Sequence, residues 1–219
     1  MEKAAFDARY EEYRQAVEDY LRGLFTGAPH WKDLYEAMRY SLLAGDALQP
    51  EAFRLILTAP DLAAERRADC ALILAEAAGA DGMVAGQVID TLHAPATEEE
   101  LTEVHRLKTG AMIAGACKLG AAAAGNRALL AAAEEYGYQL GLAFQIRDDM
   151  LDVIGTDAFG KPIGSDKEEG KVTFVDLLGL EGCDKAVLAA TERAKAAVTA
   201  YDQDGFLTAL ADSLAERNK

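Results

Sequence analysis

The stretch YGYQLGLAFQIRDDMLD, residues 136–152, decides the fold. Its first nine residues are apolar over most of a helical circumference, which is typical of a helix inside a bundle. Outside it, apolar residues recur at helical spacing along almost the whole chain, and no alternating pattern of useful length indicates a strand. With 51% apolar residues and only five prolines among 219 residues, the chain is predicted to form one all-α domain, residues 1–219.

The same periodicity and the capping signals give approximate helix boundaries. Thr97 and Glu100 have the spacing of a capping box, in which a hydroxyl residue opens a helix and a glutamate follows three residues later. The predicted helices are a first one striped from Phe6 to Leu24, then 31–44, 47–58, one or two over 62–92, 97–125, 126–154, and two or three after a loop at 155–171.

The charge balance restricts the classes of partner. The sequence has 37 acidic and 22 basic residues, a formal net charge of −15, so broad binding to nucleic acid or anionic lipid is not expected. The Ala-rich stretch 111–133 is interrupted by Lys118, Asn126 and Arg127, which makes it too polar for a membrane span. A charged start without an apolar core segment, and three cysteines without metal-ligand spacing, predict a cytoplasmic protein with reduced thiols.

The acidic end of the deciding stretch indicates a metal site. Asp148 and Asp152 share a helix face, and Asp149 lies ~100° around the axis from Asp148. Clustered carboxylates at the end of a buried helix repel each other and lose hydration, and a divalent cation offsets that cost. All-oxygen ligation favours Mg²⁺, which shares the phosphate oxygens of a substrate. The alternative interpretation is a solvated acidic face.

Basic residues follow the acid cluster in the loop GKPIGSDKEEGK, residues 160–171. Lys161 and Lys171 each follow a glycine, and glycines let backbone amides approach an anion while lysines act as point charges for phosphate. Acids on one side and lysines on the other predict a diphosphate site, with a solvated loop as the alternative. The isolated polar residues of earlier helices say little when taken singly: Gln87, Asp90, Lys108 and Thr109.

Four ordered segments together resemble a known family. FQIRDDMLD (144–152) followed by GKPIGSDKEEGKVTF (160–174) resembles the second aspartate-rich motif and trailing loop of the polyprenyl synthetases, or trans-isoprenyl diphosphate synthases. DGMVAGQVID (81–90), HRLKTGAMI (105–113) and LYEAMRYSLLAG (34–45) are similar to further signatures of that family. The resemblance is to the farnesyl and geranylgeranyl diphosphate synthase type.

This resemblance implies a helical bundle around a deep central cavity, assembled as a homodimer. It implies a Mg²⁺-dependent prenyltransferase that condenses isopentenyl diphosphate with an allylic diphosphate, dimethylallyl or geranyl, to a farnesyl-type diphosphate. Carried over residue by residue, the implied catalytic residues are Lys108, Asp148 and Asp149. The implied metal ligands are Asp148, Asp149, Asp152 and Asp90. The implied substrate-binding residues are Lys108, Thr109, Gln145, Lys161, Lys171 and Gln87.

One departure from the family pattern lies at the junction of residues 45 and 46. SLLAG (41–45) runs directly into DALQ (46–49), where the family has an isopentenyl-binding motif and a first aspartate-rich motif before a second LAGDAL-like stretch. The sequence therefore predicts an internal deletion between two short repeats. It leaves a second function open: an inactive family fragment or paralogue that acts as a dimerising subunit.

Overall fold

The computed structural model describes residues 41–93, 95–154 and 171–217, with scattered positions among residues 5–15; for residues 41–47 it describes the backbone alone. Within these residues every regular element is a helix, which confirms the all-α class. The α-helices are α1 Ser41–Thr58, α2 Ala64–Ala78, α3 Met83–Leu92, α4 Glu98–His105, α5 Ala111–Ala123, α6 Leu130–Ile154, α7 Phe174–Val198 and α8 Phe206–Ala215.

The chain divides into two compact units, Met1–Ala64 and Glu65–Lys219. In the first unit α1 is helical without interruption from Ser41 to Thr58. The predicted gap between a helix ending at 44 and another starting at 47 is therefore wrong, because the backbone stays helical through Gly45 and Asp46. The predicted helices before residue 41 lie outside the described residues.

In the second unit, α2 and α3 are separated at residues 79–82, so of the one or two helices predicted over 62–92 the structure has two. A Cβ atom at Gly82 would lie 2.2 Å from the carbonyl oxygen of Ala77, so the close turn requires glycine. The stretch Ala64–Leu92 is long and apolar enough to cross a membrane by length and composition. The break divides it into helices of 15 and 10 residues, each shorter than the ~20 residues that a span needs.

The predicted helix 97–125 is present but is not α-helical throughout. Its capping box is confirmed: Thr97 Oγ1 accepts from the Glu100 N–H at 3.2 Å, and Glu100 accepts from the Thr97 N–H at 3.3 Å. Between α4 and α5, however, residues Arg106–Gly110 form a π-helical segment. A π turn holds one residue more than an α turn, and the sequence did not predict it.

Helix α6 is the central element, as the deciding stretch predicted. It packs against α5, the π segment and α7. One core cluster lies around Ile146, Met150 and Phe174, and a second around Tyr136 and Val198. The fully buried Tyr136 donates its hydroxyl proton to the Leu207 carbonyl at 2.7 Å, which ties α6 to α8. A short 3₁₀ turn, Arg127–Leu129, leads into α6.

Candidate active site

A cleft of about 460 Å³ opens between α3, the π segment, the later part of α6 and the residues that precede α7. Its volume lies in the range usual for small-molecule sites. Six residues that the sequence analysis singled out line it together: Gln87, Asp90, Lys108, Gln145, Asp149 and Lys171.

An ion pair between α3 and the π segment forms one wall. Lys108 Nζ lies 2.5 Å from Asp90 Oδ2, and the two side chains are 30% and 14% exposed. The pair depends on a close approach of the two helices at Gly86, where a Cβ atom would lie 2.2 Å from the backbone nitrogen of Lys108. A residue without a side chain at position 86 therefore allows Asp90 to hold the Lys108 ammonium.

The π segment directs two consecutive side chains to different partners. Lys108 pairs with Asp90 on α3, while the Thr109 hydroxyl donates to Gln145 Oε1 on α6 at 3.3 Å. π turns inside α-helices occur frequently at functional sites because they re-aim side chains in this way. The segment thus connects both walls of the cleft.

Asp149 is buried, with 4% of its surface exposed. Its Oδ1 accepts from the Gln145 side-chain amide at 3.1 Å, and its Oδ2 accepts from the backbone N–H of Phe174 at 2.8 Å. Phe174 is the first residue of α7, where a negative charge is stabilised by the helix dipole. Asp149 therefore both lines the cleft and fixes the start of α7.

Asp148 lies on a different side of α6. Its Oδ1 is 2.7 Å from Arg217 Nη2, and the Arg217 guanidinium lies 3.9 Å from the centre of the Phe144 ring. The Arg217 carbonyl also accepts from Arg147 Nε at 3.0 Å. Asp152, partly exposed, is one helical turn beyond Asp148 on the same face.

The remaining predicted residues divide between described and undescribed parts of the chain. Lys171 lies at the cleft and is exposed. Lys161, with the rest of residues 155–170, lies outside the described residues. In the described part of the chain, no group of three or more His, Cys, Asp or Glu side chains is arranged to hold a metal ion.

Two residues at or near the site were not singled out from the sequence. His105 lines the cleft one turn before Lys108, and its ring lies 5.6 Å from that of Phe174. The pKa of His105 is lowered to about 4, mainly by burial; Asp90 opposes this shift, and Lys108 and Lys171 contribute to it. The motif HRLKTG could have drawn attention to His105, whereas Arg217 reads as an ordinary surface charge.

Comparisons with known proteins agree on one family. The model of the family described as "Polyprenyl synthetase" matches residues 27–203. The farnesyl diphosphate synthase of Escherichia coli (strain K12) is 38% identical over 192 residues, which cover 82% of this chain and 64% of that protein. The farnesyl diphosphate synthase of Geobacillus stearothermophilus is 42% identical over 184 residues, covering 78% of this chain and 59% of that protein.

Solved structures give the same result. The apo structure of an FPP/GFPP synthase from Zymomonas mobilis has a TM-score of 0.67 at 31% identity, covering 79% of this chain and 60% of that chain. A geranyltransferase from Helicobacter pylori, complexed with magnesium and isoprenyl diphosphate, has a TM-score of 0.62 at 28% identity, with coverages of 85% and 62%. The chain thus spans about three-fifths of the length of these relatives.

Proposed function

Because this chain belongs to the polyprenyl synthetase family, we propose that its cleft binds the diphosphate group of an allylic isoprenoid together with Mg²⁺, and that the protein is a prenyltransferase. The proposed reaction joins isopentenyl diphosphate to dimethylallyl or geranyl diphosphate and gives a farnesyl-type diphosphate. The allylic C–O bond breaks and its electron pair leaves with the diphosphate. The isopentenyl double bond then attacks the carbocation, and loss of a proton completes the product.

The observation that carries this proposal is the meeting of acid, amide and lysine side chains in one cleft. Lys108 and Lys171 lie on its walls with Asp149 and Gln145, although they come from separate parts of the sequence. A leaving diphosphate gains negative charge in the transition state, and positioned ammonium groups stabilise that charge more than they stabilise the ground state. Asp90 holds Lys108 in position for this role.

The donor set of the cleft fits Mg²⁺. This ion is usually bound by one or two carboxylates plus waters and substrate phosphate oxygens, so it does not need a cage of three protein ligands. Asp149 and Asp90 line the cleft and would hold the ion there, and Asp148 and Asp152 remain proposed ligands from the adjoining face. When bound, Mg²⁺ would neutralise charge on the departing diphosphate.

Calorimetry with dimethylallyl diphosphate and Mg²⁺ tests the proposal. We expect Mg²⁺-dependent binding to the wild-type chain and at least a tenfold loss in Lys108→Met, because an interaction with a charged group is removed. The matched control is Lys185→Met, which removes an exposed lysine paired with Glu181 on α7. Absence of Mg²⁺-dependent binding to the wild type, or equal loss in both variants, would contradict the proposal.

The second candidate function is an inactive subunit. It is favoured by the sequence, in which Asp148-Asp149 is the one pair of adjacent aspartates, so a first aspartate-rich motif is missing. The predicted deletion at residues 45 and 46 is part of this proposal. Incorporation of radiolabelled isopentenyl diphosphate separates the two functions, since turnover requires both substrates to bind whereas a subunit that holds only the allylic diphosphate gives none.

We further propose a cytoplasmic homodimer. Large apolar side chains are exposed on α1, at Leu48, Leu55 and Leu57, and separately on α2 at Leu72. Exposed apolar side chains of this kind support an association surface. Sedimentation analysis provides the test, and a species of 23.4 kDa at micromolar concentration would contradict the dimer.

A further inference from the structure

The side chain of His105 presents two different nitrogen environments. Its Nδ1 atom is buried and has no hydrogen-bond partner within the described residues. The residue as a whole nevertheless lines the cleft. Nε2, unlike Nδ1, is not among the buried side-chain nitrogens that lack a partner, so Nε2 is the ring nitrogen that we assign to the cleft side.

The buried environment of Nδ1 selects the tautomer. A buried N–H group without an acceptor costs more than a buried lone pair without a donor, so the proton is favoured at Nε2. A neutral imidazole then has an acceptor enclosed in the protein and a donor on the cleft side.

The surroundings keep the ring neutral at physiological pH. The charged groups that act on it are Asp90 on α3, Lys108 on the π segment and Lys171 before α7. Burial is the largest influence and lowers the pKa; Asp90 opposes it, Lys108 and Lys171 add to it, and together these effects bring the pKa to about 4. His105 therefore adds a hydrogen-bond donor to the cleft without adding charge.

We propose that His105 binds the substrate through a neutral Nε2–H donor directed at an oxygen of the diphosphate held by Lys108 and Lys171. This inference rests on the proposed function, because it assigns a further contact to the same diphosphate. A diphosphate has more acceptor oxygens than two ammonium groups can contact. A lysine ammonium acts as a point charge, so it does not fix the direction of its contacts. A neutral donor on a helix adds direction to their attraction, and the imidazole lies beside the Phe174 ring, with 5.6 Å between the ring centres.

The experiment is calorimetric titration of inorganic pyrophosphate with Mg²⁺ into the full chain and a set of substitutions at one position. His105→Gln keeps an N–H donor near the position of Nε2, whereas His105→Asn is polar but too short, and His105→Phe keeps the ring without any donor. We expect binding within about threefold of wild type for His105→Gln, and roughly tenfold to a hundredfold weaker binding for the other two. Thermal unfolding of each variant shows which are folded. If His105→Phe does not fold, the comparison of His105→Gln with His105→Asn tests the inference by itself.

The outcomes separate the inference from the function on which it rests. Wild-type affinity in His105→Asn or His105→Phe would overturn the inference and leave the diphosphate site intact. Repeating the wild-type and His105→Gln titrations at pH 7.5 in buffers of different ionisation enthalpy tests the charge state, because protons exchanged by pyrophosphate itself are common to both: equal proton exchange supports a neutral donor, and an extra proton taken up by the wild type overturns it. Failure of the wild-type chain to bind pyrophosphate would overturn the proposed site and this inference together.

Discussion

Two faces of the end of α6 carry neighbouring aspartates in contrasting surroundings. The cleft face consists of Gln145 and Asp149, and the tail face consists of Phe144, Asp148 and Asp152. On the cleft face, the carboxylate of Asp149 is 4% exposed and accepts from an amide and a backbone N–H. On the tail face, the Asp148 side chain is 48% exposed and pairs with the Arg217 guanidinium.

The difference between the faces indicates that the two adjacent aspartates, Asp148 and Asp149, contribute differently to the stability of the fold. A buried carboxylate must satisfy fixed donors, so removing it leaves those donors without partners. A half-exposed carboxylate keeps much of its hydration, so its ion pair contributes little to stability. We therefore expect the cleft face to support both folding and binding, and the tail face to contribute little to folding.

The largest expected effect comes from Asp149→Ala. This change leaves the Gln145 amide and the buried N–H of Phe174 without their acceptor, and we expect the free energy of unfolding to fall by about 3–5 kcal/mol. Urea denaturation measures it. The matched variant is Asp148→Ala, for which we expect a loss below about 1 kcal/mol. Equal losses at the two positions would show that the faces do not differ.

Gly86→Ala should have the next largest effect, because it separates the two helices that form one wall of the cleft. The new Cβ would lie 2.2 Å from the backbone nitrogen of Lys108. Helix α3 must therefore move, which weakens the ion pair between Asp90 and the Lys108 side chain. We expect a loss of about 3 kcal/mol in the free energy of unfolding and weaker pyrophosphate binding. Gly120→Ala on α5 is the control, since no atom lies within 4 Å of its Cβ; it should stabilise by roughly 0.5–1 kcal/mol. Similar behaviour of the two alanines would contradict this account.

A smaller effect is expected from acidification at His105. Its folded pKa of about 4 lies below the ordinary value of 6.5, so the unfolded chain binds this proton more readily. Stability from this group is complete above pH 6.5, falls between pH 6.5 and 4, and does not change further below. Relative to His105→Gln, the wild-type chain should lose at most about 3 kcal/mol across that window, since each pH unit is worth about 1.36 kcal/mol. Parallel pH profiles for the two proteins would show that His105 is not a buried neutral group.

Sequence periodicity was sufficient for most of the helices after residue 58 and for the central position of α6, since both follow from local propensity and apolar spacing. The capping box at Thr97 was predicted for the same reason, because its hydrogen bonds join residues three apart. The gathering of Lys108, Gln145 and Asp149 in one cleft followed from the family resemblance, since no local pattern in the chain brings them together.

What the sequence did not predict depends on contacts between distant residues. The π segment has no local signal that we recognise, and it occurs where Gly86 allows α3 to approach Lys108. The sequence put Asp148 and Asp149 about 100° apart, but the neighbours of α6 decide which one enters the cleft. Arg217 reaches Asp148 across 69 positions of the chain, a distance that motif spacing does not resolve.

The π segment also determines how this helix responds to a change of length. A π turn in an α-helix is equivalent to one inserted residue, so deleting one residue between 106 and 110 would restore regular pitch at no cost to helical hydrogen bonding. Because the wider turn takes up the extra residue, the same deletion would leave α5 near its present orientation relative to α4 and would change the directions of the side chains within the segment. Either Lys108 would lose its contact with Asp90, or Thr109 would lose its hydrogen bond to Gln145. With a regular α-helix at this point, the segment would no longer connect the two walls of the cleft.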